Sequence, residues 1–383
     1  MIHYKLYNSV NQLPSAWDEL PIADLFLKTP FLKALEQSSP NNINSYFVGV
    51  FSSETLVGIA ILQSVELVSD DIFRKTSDSR IKQIGKQLVS NFLKGNAIVV
   101  GNLMHTGQHG LFFTSEIEQD QFLEIVLKAV SEVSDLIQQN FGKKVRIIAF
   151  KDFFETDTIH LSEPFFRRHQ FFKARVQPNM ILNKRDSWTT MANYVSAFNK
   201  KYRRRYRTAI KKKEPISSRE LSLEDLTLYN DQLYQLYENV SDNAGVNSFK
   251  LHKDHFYQLK SHLGDHFKVF GYFLDQVLVG VYSLIYNNDC LETYFLGYEP
   301  ELQHQHQMYL NMLFDMAGYG ISQNFESVIF ARTAMEIKSS IGAKPNEMSI
   351  YLKHTNTLIA NKILQLVVKF MNPVKDWEER HPF

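Results

Sequence analysis

The stretch FARTAMEIKSSIGAKP (Phe330 to Pro345) gathers Arg332, Thr333, Glu336 and Lys338 on a short piece of chain. The residues just before them, SVIFA (Ser327 to Ala331), are apolar and β-prone and predict a buried strand. The four polar side chains then stand at the carboxyl end of a central strand, where open α/β sheets bind their ligands. A guanidinium, a hydroxyl, a carboxylate and an ammonium at such a place can hold an anionic group or supply charge or a proton. The bland alternative is that Glu336 and Lys338 form a surface pair at a helix start.

A second constellation is KKYRRRYRTAIKKK (Lys200 to Lys213), in which nine of fourteen residues are Lys or Arg although the whole chain is formally +1. Asp186-Ser187 offers a helix start and Glu214-Pro215 a stop. Phe198, Tyr202, Tyr206, Ala209 and Ile210 fall on one apolar stripe of that helix. The rest of its surface carries Arg203, Arg204 and Arg207. Guanidinium suits phosphate because its planar fork gives paired hydrogen bonds. The alternatives are a solvated face, or arginine stems covering apolar surface.

Other chemistry is poorly represented. No G-x-S-x-G, Walker loop or H-E-x-x-H occurs. His252, His255, His262 and His266 are helically spaced, and His304 and His306 flank a Gln. No Cys or carboxylate partner completes a ligand set, so no metal is expected. The lone cysteine, Cys290, excludes an internal disulfide and favours a reducing compartment. The start, MIHYKLYNSV, has no signal-peptide core, and no apolar run approaches the roughly 18 to 20 residues of a membrane span, so a cytoplasmic protein is expected. KILQLVVKFM (Lys362 to Met371), flanked by Lys353 and Lys375, reads as a packed terminal helix, with a membrane-surface helix as the alternative.

The elements that position these residues occur twice. GVFSSETLVG (Gly49 to Gly58) aligns without gaps to GYFLDQVLVG (Gly271 to Gly280), each a strand, a polar turn and a strand. A third strand follows in each copy, AIVVG (Ala97 to Gly101) and TYFLG (Thr293 to Gly297). Next comes a helix in each copy, near Gln119 to Asn140 and near Gln307 to Gln323, both apolar at helical spacing. Buried strands follow at VRIIAF (Val145 to Phe150) and SVIFA. Closing strands come last, QPNMILN (Gln177 to Asn183) and KPNEMSIYL (Lys344 to Leu352). Helix-linked strands require a parallel crossover, so each copy is a mixed α/β unit. The expected division is 1–186 and 187–383.

This element order resembles the GNAT fold, the acyl-CoA N-acyltransferase architecture. The basic helix, the Tyr-rich segment LYNDQLYQLYENVSDNAGVNSF and the second hairpin together resemble the Fem-type peptidoglycan aminoacyltransferases and their FemAB-like relatives, which are tandem GNAT-like domains. FARTAMEIKSSIGAKP resembles a run in those proteins that opens from a buried strand into a polar turn, with Ala331 where glycine is expected. The resemblance implies N-acyl or aminoacyl transfer in peptidoglycan biosynthesis, an acyl donor lying where two central strands splay, and an acyl-CoA or aminoacyl-tRNA donor. It implies an acceptor that is a phosphate-bearing cell-wall or lipid precursor, with tRNA as a further partner; the apolar runs, too short for a span, predict no stable membrane insertion.

One departure bears on the donor. CoA-using members cradle the pyrophosphate with a Gly-rich loop leading into a helix. GYEPELQHQHQMYL (Gly297 to Leu310) has no glycine after Gly297, whereas GNLMHTGQHG (Gly101 to Gly110) keeps several. Either the first copy alone holds CoA in the usual way, or neither does. For the transfer itself, Lys338, Arg332 and Tyr298 are the catalytic candidates, supplying charge or a proton. Arg203, Arg204, Arg207, Thr333 and Glu336 are the substrate-binding candidates, while Tyr294 is assigned to core packing. The competing expectation is a non-catalytic GNAT-fold protein that uses the basic helix to bind nucleic acid or an anionic surface.

Overall fold

The computed structural model describes residues 1–67, 95–242, 249–371 and 377–383. The chain forms two compact units. The first comprises Met1–Val176, Gly245–His252 and Glu347–Val374, and the second Gln177–Ala244, Lys253–Asn346 and Lys375–Phe383.

In the first unit, β1 (Ile2–Tyr7) is followed by helices α1 (Ala16–Glu19) and α2 (Thr29–Gln37). Then come β2 (Ile43–Ser52), β3 (Thr55–Leu67), β4 (Gly95–Val100), the short β5 (Leu111–Phe113), α3 (Gln119–Phe141), β6 (Val145–Phe154) and α4 (Glu163–Arg168). The ladder runs β1-β2-β3-β4-β6, antiparallel except for β4 and β6. That parallel pair is bridged by α3, whose buried Phe122, Val126, Ala129, Val130, Val133 and Ile137 recur at helical spacing. Along β6, Ile148 and Phe150 enter one core and Ile147 and Ala149 another, so both sheet faces are covered.

The second unit repeats this order. It contains the later part of β7 (Phe172–Asn183), α5 (Met191–Ala197), α6 (Lys200–Lys213), β8 (Ile216–Glu220), α7 (Leu223–Leu228), α8 (Asn230–Ser241), α9 (His255–Leu263), β9 (Phe267–Leu274), β10 (Val277–Asn287) and β11 (Cys290–Tyr298). α10 (Leu302–His306), α11 (Met308–Ser322), β12 (Ser327–Ile329) and α12 (Met335–Ser339) follow. The ladder is β8-β9-β10-β11-β12-β7, with β11 and β12 as the parallel pair bridged by α11. Asp275 and Gln276 both have left-handed φ, at 48° and 67°, as a two-residue hairpin turn of type I′ demands.

The closing strands differ from expectation. The first unit's sheet ends on Met348–His354 of β13 (Lys344–His354), paired antiparallel to β6. The second ends on Ile181–Asn183 of β7, paired to β12. Each closing strand thus comes from the other half of the sequence. Both are β-prone segments after a Pro-Asn pair, so local pattern does not say which edge each one closes.

Three further differences concern the helices and the strand before the polar turn. The basic segment does not run on from Asp186-Ser187. Thr190 caps α5, and Phe198 adopts an extended conformation. The side chain of Asn199 then accepts the Tyr202 amide and starts α6 afresh. Tyr202, Tyr206 and Ala209 pack inward on α6, but Ile210 is exposed, one position beyond the docking stripe. SVIFA is strand only through Ile329, because Ala331 turns left-handed at φ 58°. The terminal helix, α13 (Leu358–Met371), is packed on one side only: Ala360 and Leu364 are buried and Val368 meets a core, while several large apolar residues face outward. Lys375, expected to flank it, and residues 243–248 of the Tyr-rich segment lie outside the described residues.

Candidate functional site

The two parallel strand pairs differ where ligands are expected to bind. In the first unit the β4–β6 ladder reaches Val100, the end of β4, opposite Phe150. In the second unit β11 and β12 pair only over Cys290–Glu292 and Ser327–Ile329. Beyond Glu292, β11 continues to Tyr298, bonded to β10 alone among the described strands. The second unit therefore has a fork between its central strands, and backbone groups on the β12 side of β11 are released from the ladder there.

One arm of the fork is Phe330–Ala334. Phe330 and Ala331 extend the ladder to Met180 by two backbone hydrogen bonds, of 2.8 and 3.1 Å. Ala331, Thr333 and Ala334 then take left-handed φ values of 58°, 65° and 47°, which non-glycine residues adopt only when held. The hold is Lys338. From α12 its Nζ donates to the carbonyl oxygens of Phe330 at 2.5 Å, Ala331 at 3.3 Å and Arg332 at 2.6 Å. Those are the three bonds an ammonium can make. The side chain is buried, at 5% exposure. Burial draws its pKa down to about 7, and the three oxygens favour the charged form. Lys338 thus shapes the backbone of the site.

Arg332 projects from the strained segment, and burial lowers its guanidinium pKa to about 10. Thr333 is exposed. Glu336 is exposed as well and pairs with Arg380 at 3.3 Å, so it forms no surface pair with the buried Lys338. Tyr298, at the end of β11, is partly buried, and burial raises its pKa. Its carbonyl accepts the Asn239 side chain of α8 at 3.4 Å. Tyr294 is also partly buried, but its hydroxyl lies 3.0 Å from Nε2 of His255, so it is a hydrogen-bonded residue as well as a packed one. α8 comes so close to β11 that a Cβ on Gly297 would lie 2.2 Å from the carbonyl oxygen of Leu236.

The basic helix divides its charge. Arg203, Arg204 and Arg207 are exposed, as expected. The carboxyl end of α6 is built into the fold. Lys213 and Tyr272 both reach Oδ2 of Asp315 on α11, and Lys212 donates to the His304 carbonyl at 3.0 Å. Asn311 and His306 in turn bond the carbonyls of Ala209 and Lys212, the second of which lies in the last turn, where helix carbonyls lack an intrahelical donor. Arg205 is half-buried, its pKa lowered by burial and by neighbouring Arg380, against an opposing effect of Tyr202.

Arg380 therefore links α6 to α12, touching Glu336 and lying near Arg205. Neither it nor Glu292 was marked by the sequence pattern. Arg380 follows Trp377 on a terminal segment that ends with Phe383 against Trp188 and Phe198. Glu292 is a deeply buried carboxylate on β11 in the last parallel pair before the fork opens. Its signal was a lone acid inside an apolar strand, CLETYFLG.

The glycine loop of the first copy is occupied by its own chain. The Gly107 amide donates to Asp152, and the Gly110 amide to Gln108 at 2.8 Å. Lys151 Nζ holds the His105 carbonyl at 2.7 Å. At the start of α11 in the second copy, the Tyr309 amide is taken by the Gln303 side chain at 3.0 Å.

No family model matches the chain, and no curated protein matches its sequence. Solved structures do match in fold. FemX gives a TM-score of 0.54 at 11% identity, over 96% of this chain and 100% of that one. A tandem GNAT protein from the clavulanic acid biosynthesis pathway gives 0.54 at 10% identity, over 92% of this chain and 98% of that one. The duplicated strand order, the fork and this likeness agree: the chain has a tandem GNAT fold, similar to that of FemX.

Proposed function

We propose that the protein is a FemAB-like N-acyltransferase that moves an acyl or aminoacyl group to the amine of a phosphate-bearing cell-wall or lipid precursor. The observation that carries this reading is the fork between β11 and β12, with Arg332 and Thr333 on the strained segment at one arm. The second unit does the chemistry. Released N–H groups along β11 face the donor carbonyl and stabilise its oxygen as charge develops. The amine nitrogen forms a bond to the carbonyl carbon while the bond to the donor's sulfur or ribose oxygen breaks. The amine loses a proton to a base, for which we assign Glu292, the buried carboxylate at the fork, and the leaving atom gains one, for which we assign the hydroxyl of Tyr298 at the end of β11. Arg332 and Thr333 hold donor or acceptor, Arg203, Arg204 and Arg207 hold phosphates, and Lys338 and Glu336 keep the segment in place. The donor is an acyl-CoA or an aminoacyl-tRNA. The internally capped glycine loop and the Gln303 cap on α11 favour a donor gripped elsewhere than at a bare phosphate cradle.

The test is mass spectrometry of the purified protein with a panel of acyl-CoAs, charged tRNAs and amine acceptors. A mass increase on an acceptor, lost in Glu292→Gln and Arg332→Ala proteins that remain folded, is expected. No transfer from any donor would remove the enzyme reading. The exposed arginines of α6 favour one second reading, a non-catalytic protein that holds nucleic acid or an anionic surface. Binding without turnover, weakening steeply with salt, is its signature.

A further inference from the structure

We propose that α13 is a membrane-surface helix that docks the first unit on a bilayer rich in anionic phospholipid. The inference goes beyond the transferase reading and rests on this helix and the cations beside its start. Its sequence, LIANKILQLVVKFM, is apolar on two sides. One side packs inward through Ala360, Leu364 and Val368. The other presents Ile359, Ile363, Leu366 and Phe370 at 72%, 41%, 55% and 85% exposure. Their spacing of four, three and four residues aligns them in one stripe along the helix. Four large apolar side chains in a row on a surface form an unusual patch, not the scattered exposure that folded proteins tolerate.

Charge decides the occupant. α13 contains no acid, and Lys362 and Lys369 lie seven residues apart along one flank of the stripe. At the amino-terminal end of the helix, exposed Lys144 and Arg146 line a cleft of about 690 Å³ with His354 and Ala360, against a single acid, Asp135. An apolar stripe bordered by cations matches a helix lying in the headgroup region, with its apolar side chains among acyl chains and its lysines at anionic phosphates. The helix is far too short to cross, and among the described residues no helix is long and apolar enough to do so. Docking is therefore reversible and depends on both charge and apolar contact.

The experiment is co-sedimentation of the full chain with vesicles of phosphatidylcholine alone, and with vesicles that also contain phosphatidylglycerol. Binding to the anionic vesicles, weakening with salt, is expected, with little binding to phosphatidylcholine. Replacing two flanking charges, Lys362→Gln with Lys369→Gln, should lower the partition coefficient about thirtyfold. Leu366→Ser with Phe370→Ser should lower it about tenfold or more while the thermal transition is kept, since both side chains face solvent. Absence of binding to anionic vesicles at low salt would overturn the proposal. So would undiminished binding of the Leu366→Ser, Phe370→Ser protein, which would assign the contact to the arginines of α6. A wild-type dimer by light scattering that this variant converts to monomer would make the stripe a self-interface, and would also overturn it.

Discussion

The ammonium of Lys338 lies 2.6 Å from the carbonyl oxygen of Arg332, six residues before it in the chain. It also bonds the carbonyls of Phe330 and Ala331, so one buried cation collects three successive peptide oxygens at the arm of the fork. These are the residues around which the backbone turns left-handed without glycine. Lys338→Met keeps much of the volume but takes the ammonium from all three oxygens, of which Ala331 keeps the Met180 amide as a donor. The expected loss of stability is about 2–4 kcal/mol, measured by urea denaturation. In the transferase assay, turnover should fall with Lys338→Met more than with Thr333→Ala. A variant of wild-type stability would show that the strained segment is held by something else.

The same lysine makes stability depend on alkaline pH. Its folded pKa of about 7 lies below the free-lysine value of 10.5, so between them the unfolded chain binds more protons than the folded one. Stability of the wild type relative to Lys338→Met should therefore rise as pH increases from about 7 to 10, by an amount on the order of a few kcal/mol. Below pH 7 both states are protonated and the difference should level off. Denaturation midpoints of the two proteins across that range measure this. A flat difference would mean that the three carbonyl oxygens keep the ammonium charged throughout.

Gly297 tests the close approach of α8 to β11. A methyl there would meet the Leu236 carbonyl carbon at 2.3 Å and its oxygen at 2.2 Å, both backbone atoms that cannot swing aside. Gly297→Ala should cost about 3 kcal/mol or more by forcing the helix off the strand. Because α8 also holds the Tyr298 carbonyl through Asn239, turnover should drop further than the loss of folded protein explains. Gly142→Ala meets open space but sits at a left-handed φ of 65°, so it measures the separate cost of backbone strain without a clash, about 1 kcal/mol.

Much of this arrangement was legible in the residues. The hairpins at Gly49 to Gly58 and Gly271 to Gly280 and the helices after the third strands follow from patterning that is local and repeated. The exchanged closing strands were not legible, because the choice of sheet edge is a tertiary matter decided by long-range pairing. The break at Phe198 was missed because aromatic spacing across Phe198 and Tyr202 mimics one helix, while the Asn199 cap is a single-residue signal inside it. Lys338 was marked as a catalytic candidate by its charge, whereas its ammonium bonds three peptide oxygens. Charge near a site says that an ammonium is there, but only coordinates say that its donors end on peptide oxygens.

Arg203, Arg204 and Arg207 bear on the phosphate partner. They are exposed, whereas Lys212 and Lys213 on the same helix are tied to His304 and Asp315. Removing the three arginines should therefore leave the fold intact and change binding, while Lys213→Ala should act mainly on stability by leaving Asp315 to Tyr272 alone. With tRNA as probe, each arginine that touches a phosphate contributes about 0.7 to 0.9 to the slope of log affinity against log salt. The Arg203→Ala, Arg204→Ala, Arg207→Ala protein should accordingly lose about two units of slope and bind at least tenfold more weakly near physiological salt. An unchanged slope would identify these arginines as a solvated face and leave Arg332 as the cation that meets the ligand.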